Sequence, residues 1–308
     1  MTRRDFLAAG VALALAPSRL ARSSVKIAVV ADLHHGLAPD AAERLDAFVK
    51  ATLGREHIDF ALQMGDFCHA KPESKAFVRR WTDLPMRKVH VLGNHDMDTC
   101  DKAAAMAHWG MKSRYRAFDQ GDYRFLVLDL NHFKKEGLLV PYSHGNYFTD
   151  NATHNWIDPE QLDWFERELH RSKRPVIVIS HQPIGFAEPE KPMPPEQAQI
   201  LNVIQKAAKG NPRGAVALCL CGHMHVDRLA IVDGLPCYCV NSASYFWYEG
   251  MQKYTQPLFA FMEITPSGML RIEGRSGAFA SAPPPASSTV LGRSASISSQ
   301  EFSIHVSK

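Results

Sequence analysis

The chain has 308 residues, 45% of them hydrophobic and 22% charged, a balance that fits one elaborate globular domain and excludes disordered and collagen-like classes. The formal charge of +3 sits at the N-terminus, where Arg3, Arg4, Arg19 and Arg22 face only Asp5 and leave the remainder neutral. A neutral body with no Lys/Arg stripe lacks the electrostatic footprint needed to grip long nucleic acid, so none is expected as a partner.

The first residues read as an address. Arg3-Arg4-Asp5-Phe6-Leu7 precedes a mildly apolar run, Ala8 to Ala16, and small residues follow. The paired arginines resemble a twin-arginine export signal, an ordinary secretory signal being the alternative. The expected signal covers residues 1–24, with the export machinery as a partner and a periplasmic or secreted destination. The run is about half the ~20 residues that span a bilayer, so no permanent membrane anchor is expected.

From Val25 the pattern alternates between strands and helices. Val25–Ala31 is a continuous apolar run suited to a strand buried on both faces, and Asp40–Leu53 has helical spacing after Pro39. Ile58–Met64 and Lys88–Leu92 read as strands, with helices over Ser74–Trp81 and Asp101–Trp109. Arg114–Phe118 and Tyr123–Leu130 form a hairpin across Gln120-Gly121-Asp122. A long loop, Asn131 to Asp158, precedes a helix at Pro159–Arg171, a strand at Val176–Ser180 and a helix at Pro195–Lys209. The later chain is mostly β: Ala215–Cys221, Arg228–Val232, Pro236–Val240, Leu258–Ile264 and Met269–Glu273. This order predicts an α/β fold of two sheets packed face to face with helices outside. The domain is expected over residues 25–277. The tail, residues 278–308, turns Pro/Ser-rich and offers an edge strand at Phe302–Val306.

Six cysteines lack a C-x-x-C spacing. Cys219/Cys221 and Cys237/Cys239 alternate within strands and read as buried thiols. Cys68 and Cys100 each follow a motif, which leaves open a disulfide between them as well as two free thiols.

Five short motifs fall where strands give way to loops: Asp32-Leu33-His34, Gly65-Asp66, Gly93-Asn94-His95-Asp96, Ser180-His181 and Gly222-His223-Met224-His225. Each alone is weak. Together they bring carboxylate, amide and imidazole donors to one sheet edge, where ligands of open α/β sheets bind. In extended chain, residues i and i+2 point the same way, so Asp32 with His34, and His223 with His225, are expected to share a pocket. Mixed O and N donors suit Mn, Fe, Zn or Co better than Mg or Ca.

This motif set resembles the calcineurin-like metallophosphoesterase superfamily, and the resemblance spans Asp32 to His225. It implies a four-layer α/β/β/α sandwich with two divalent or mixed-valence metals at the C-terminal ends of strands. By that similarity Asp32, His34 and His225 would hold one metal and Asn94, His181 and His223 the other, with Asp66 bridging. The implied reaction is in-line attack by a metal-bridging hydroxide on a phosphate ester, with His95 facing the leaving oxygen. A second reading of His95 is a hydrogen-bonding histidine behind the ligands. Asp96 is expected to orient a neighbouring group.

Purple acid phosphatases, one branch, carry glycine where this chain has His34 and tyrosine where it has His69, so a purple-type iron site is not expected. The long loop and the helix after it are more similar, in layout only, to the manganese-dependent ADP-ribose/CDP-alcohol diphosphatase branch. The expected substrate is therefore a phosphodiester or pyrophosphate of a nucleotide-like small molecule. A phosphomonoesterase and a non-catalytic scaffold of the same fold are the alternatives. His35, His69, Tyr147 and Asn241 are candidate substrate contacts, and the loop 131–158 is expected to cover the metal edge.

Overall fold

The computed structural model describes residues 24–285 and 292–304. The expected signal lies almost wholly outside the described residues, as do His305 and Val306 of the expected edge strand. In chain order the elements are β1 (Val25–Val30), α1 (Ala41–Leu53), β2 (Phe60–Gln63), α2 (Lys75–Thr82), β3 (Arg87–His90), α3 (Lys102–Trp109), β4 (Arg116–Gln120) and β5 (Tyr123–Val127). There follow β6 (His132–Lys135), β7 (Leu138–Pro141), α4 (Pro159–Arg171), β8 (Val176–Ile179), α5 (Pro195–Gly210), β9 (Val216–Cys221), β10 (Arg228–Val232) and β11 (Leu235–Cys239). The last five strands are β12 (Tyr245–Trp247), β13 (Met251–Lys253), β14 (Ala260–Ile264), β15 (Met269–Glu273) and β16 (Gln300–Ser303).

Two six-stranded sheets form the body, in the orders β16-β15-β14-β1-β2-β3 and β10-β11-β9-β8-β5-β4. β1, β2 and β3 run parallel, and so do β5, β8, β9 and β11. Because side chains alternate across a strand, β1 divides its residues between two cores. Ile27 and Val29 join the core that holds the second sheet, α4 and α5, whereas Ala28 and Val30 join the core under α1, α2 and α3. The result is the expected four-layer sandwich, α/β/β/α.

Local chemistry sets the helix ends. Asp158 accepts from the Gln161 amide at the start of α4, with Pro159 at the first helical position. Asp101 caps α3 in the same way, and Gly110 ends it at φ 70°.

The stretch 131–158 is not one structureless loop. It opens with the hairpin β6–β7, in which Lys135 pairs with Leu138 across Glu136-Gly137, and irregular chain follows only from there. A two-residue turn with φ 52° and 80° closes it, the geometry that Gly-containing hairpin turns favour. Near the C-terminus β16 pairs antiparallel with β15 through Gln300–Ser303, and Ile297 and Ile304 are buried in the inter-sheet core. Among the described residues no helix is long and apolar enough to cross a membrane.

Cys68 and Cys100 are not bonded to each other; all six cysteines are free. The Trp109 indole donates to Cys68 Sγ at 3.2 Å, while Cys100 Sγ points at the Asp96 carbonyl at 3.5 Å. Each thiol has its own partner. In the second sheet Cys219 and Cys221 lie directly beside Cys237 and Cys239 on neighbouring strands, buried as expected.

Candidate metal centre

β1, β2, β3, β8 and β9 all end at the same edge, and each delivers its donors within a few residues of its last strand position. Asp32, His34 and His225 form one group of converging donor atoms, and Asp66, His181 and His223 another. In the first group His34 Nε2 lies 3.0 Å from His225 Nε2, and His225 Nε2 lies 3.3 Å from Asp32 Oδ1. In the second His181 Nε2 is 3.2 Å from Asp66 Oδ2, 3.2 Å from Asn94 Oδ1 and 3.2 Å from His223 Nδ1. Asp66 links the two groups, its Oδ2 lying 3.8 Å from His34 Nε2.

As expected, Asp32 and His34 join one donor group and His223 and His225 line one cavity, but the backbone that brings them there is not extended. Asp32 and His34 both have left-handed backbone, φ 55° and 53°, as do His223 and His225, φ 68° and 51°. The chain therefore curls at these donors instead of alternating, and it sends His223 to the second group and His225 to the first. Asp66 is left-handed too, at φ 50°. Such residues cost roughly 1–3 kcal/mol each and persist where surrounding structure and function demand them.

Two glycines show how tightly the backbone wraps the donors. A Cβ at Gly65, itself at φ +104°, would lie 2.3 Å from His181 Nδ1, and one at Gly93 would lie 2.2 Å from the Asp66 amide nitrogen and Oδ1. Asp96 has the orienting task that its motif position suggests. Its fully buried carboxylate accepts from the amides of Asp66, Phe67, Cys68 and Gly93, at 2.7 to 3.2 Å, and so ties the β2 turn to the β3 turn.

The electrostatics fit a divalent cation. Burial raises the cost of charge on Asp66, but His181, His95 and His34 around it outweigh that and hold its carboxyl well below the usual range. Burial likewise opposes charge on His181, yet Asp66 and Asp32 push it up to about 10. His34 and His223 go the other way, driven down by burial, His223 to about 3, so each keeps the neutral imidazole that ligates metal. The buried Asp66 carboxylate beside imidazole nitrogens as little as 3.0 Å apart calls for a cation between them.

His95 stands at the rim of this bed. Its amide donates to Asp66 Oδ1 at 2.8 Å, and its ring Nδ1 is engaged by Asp98 Oδ2 at 2.9 Å, which leaves Nε2 for the cavity. The Tyr147 hydroxyl donates to Asp98 Oδ1 and lies 3.2 Å from His95 Nδ1; His69 Nε2 is 3.2 Å from Asp98 Oδ2. Burial disfavours charge on His95, but Asp66 and Asp98 raise it to about 9. Tyr147 thus touches His95 and Asp98 without itself lining the cavity, and His69 touches Asp98 alone.

Two candidates fall elsewhere. His35, half-buried, stacks on Phe77 of the helix-side core at 4.3 Å and is not in the cavity lining. Asn241 is fully buried; its amide donates to the carbonyls of Ser294 and Ser296 and its oxygen accepts from Tyr254, so it pins the C-terminal segment and does not face the cavity. Sequence reasoning missed Asp98, although its spacing of three from His95 was a usable signal. It also missed Tyr245, whose ring lies 4.9 Å from His34 and 5.0 Å from His225, and for which no motif offered a cue.

Residues 25–227 match the family model of the calcineurin-like phosphoesterases. No curated protein matches the chain by sequence. Among solved structures, a dimetal phosphatase from Danio rerio is similar at TM-score 0.59 and 14% identity, over 81% of this chain and 95% of that one. GAP50, described as the anchor in the inner membrane complex of Plasmodium, is similar at TM-score 0.54 and 13% identity, over 93% of this chain and 90% of that one. These likenesses speak to the fold. The family match covers most of the chain, and the chain belongs to the calcineurin-like phosphoesterases: it is a metal-dependent phosphoester hydrolase.

Proposed function

We infer that this calcineurin-like phosphoesterase hydrolyses phosphodiesters of small molecules with two transition-metal ions, drawn from Mn, Fe, Zn or Co. Asp32, His34 and His225 would hold one ion, Asn94, His181 and His223 the other, and Asp66 both. When bound, such ions supply Lewis-acid stabilisation of charge at phosphorus and activation of water. The observation that carries this reading is the convergence of seven donors from five strand ends, with the Asp66 carboxylate between two groups of imidazoles.

The chain's own residues account for the rest. Gly93, Asp96 and the left-handed donors hold the bed rigid, so little reorganisation is needed on binding. Asp98 fixes the His95 ring through Nδ1, and Nε2 is positioned to donate a proton to the leaving oxygen. Tyr147 and His69 hold Asp98 in turn.

A diester is favoured over a pyrophosphate because, among the described residues, the cavity lining includes no lysine or arginine to meet a second phosphate. The similarity of layout to the ADP-ribose/CDP-alcohol diphosphatase branch supports the small-molecule class without selecting the pyrophosphate. For location, we propose twin-arginine export, on the strength of Arg3-Arg4-Asp5-Phe6-Leu7.

The test is turnover of paired chromogenic phosphate monoester and diester after stripping and reloading with each metal. Faster diester hydrolysis is expected. Faster monoester hydrolysis would make the protein a phosphomonoesterase, and no turnover despite bound metal would make it a scaffold.

A further inference from the structure

Above the donors lies a cavity of about 570 Å³, floored by Asp66, His95, His223 and His225. Its walls come from two separate pieces of chain. On the His95 side stands Phe148, its ring centroid 6.1 Å from that of His95. On the His34 and His225 side Tyr245 packs against both imidazoles, and Trp247 continues the wall with its ring 6.3 Å from Tyr245. Leu37, Met224, Met251 and, beside His95, Asp98 complete the lining.

Phe148 is 72% exposed and Trp247 63% exposed. One exposed aromatic residue needs no explanation. Two of them in the lining of one reactive cavity, with Met224 and Met251 beside them in the same lining, have the form of a binding wall for an apolar group. Both are held in place. Tyr147 is fixed to Asp98 by its hydroxyl and the Phe148 amide donates to Gly145 O at 3.1 Å. The hairpin β12–β13 is clamped from α1, where buried Arg44 donates to the carbonyls of Ala243 (2.9 Å), Tyr254 (2.7 Å) and Gln256 (3.1 Å) on either side of it. A preset wall binds without the cost of ordering itself.

We propose that the substrate is a phosphodiester carrying a flat aryl or heteroaryl group, and that Phe148 and Trp247 select it by ring contact. Its single phosphoryl charge is met at the donor bed, and its ring lies on the apolar wall. This rests on the diester-hydrolase reading above. Stacked and edge-on ring contacts stabilise beyond area burial alone, and one such contact is worth about tenfold in affinity.

The test uses metal-loaded full-length protein and two diesters of which only one carries a ring, methyl phenyl phosphate and dimethyl phosphate, with hydrolysis followed by release of the monoester. The phenyl ester should show a KM about tenfold lower. Trp247→Ala and Phe148→Ala should each move the phenyl-to-methyl ratio toward unity; both side chains are exposed, so the fold does not depend on them. Calorimetric binding of phenylphosphonate and methylphosphonate reads the same preference without turnover. Equal KM values, or equal phosphonate affinities, would overturn the ring assignment and leave the hydrolase reading intact. Absence of turnover on both esters, with phenylphosphonate still preferred, would sink the hydrolase reading alone.

Discussion

Asp32, Asp66 and His181 are almost wholly buried and backed by hydrogen bonds and close glycines, whereas Phe148 and Trp247, around the same cavity, stand largely in water. The donor bed is assembled from the ends of five strands and accepts left-handed backbone at five donors. The rim comes from two excursions, the irregular chain after β7 and the hairpin β12–β13, and is held by long-range anchors such as Arg44 and Asp98. The bed can serve one kind of chemistry only, since each donor is locked by its neighbours. The rim can change its side chains at little cost to the fold, and so it is where the choice of substrate resides.

The largest expected effect breaks the bed. Asp66→Asn should lower turnover by at least about 10³-fold and reduce metal content, because one carboxylate serves both donor groups. Phosphoesterase assays with metal analysis check this. His95→Gln should keep the metal and lower kcat by about 10²–10⁴-fold, the range for a positioned proton donor. Asp98 acts through His95, so Asp98→Asn should lower kcat by about 10–100-fold with KM little changed, a split that a general loss of folding would not produce.

The buried half also has a signature in pH. His90, at the end of β3, stacks on Trp109 and has an unpartnered Nδ1; burial, then Arg116 and Lys88, lower it to about 3. The folded protein thus keeps His90 neutral, while the unfolded chain takes up a proton below about 6.5. Stability is full above that value and falls as pH drops toward 3, by about 2 kcal/mol between pH 6.5 and 5 from this group. Denaturation at pH 7 and 5 should show the fall, and His90→Leu should shrink it. The smallest effect sharpens the rim. Arg44→Met should leave metal content in place and weaken aryl preference by a few-fold, since the clamp on β12–β13 is lost together with the Arg44–Asp40 ion pair on α1, away from the donors.

The bed was legible in sequence because donors at strand ends come with glycines and fixed short spacings. Asp32, His34, Asp66, Asn94, His181, His223 and His225 could all be read that way. What the spacing did not carry was the backbone: the shared pocket was right, but the i, i+2 argument assumed extended chain where the donors are left-handed. The sheets were legible from the apolar runs of β1, β8 and β9. The hairpin β6–β7 was not, because His132-Phe133-Lys134-Lys135 alternates weakly and its turn is a plain Glu136-Gly137. Of the rim, Phe148 lies in the loop 131–158 that was expected over the metal edge; Tyr245 and Trp247 were not legible, since they lie more than 200 residues from His34 and no local pattern joins them. Asn241 misled for the same reason: a polar residue after a strand looks like a site residue until its partners, Ser294, Ser296 and Tyr254, are known.

The most direct test of the central claim is the metal content of purified protein, read together with diester turnover before and after chelation. Two transition-metal ions per chain, with turnover lost on stripping and restored on reloading, is the predicted result. Undiminished hydrolysis by metal-free protein, or a chain that takes up no metal, would contradict it.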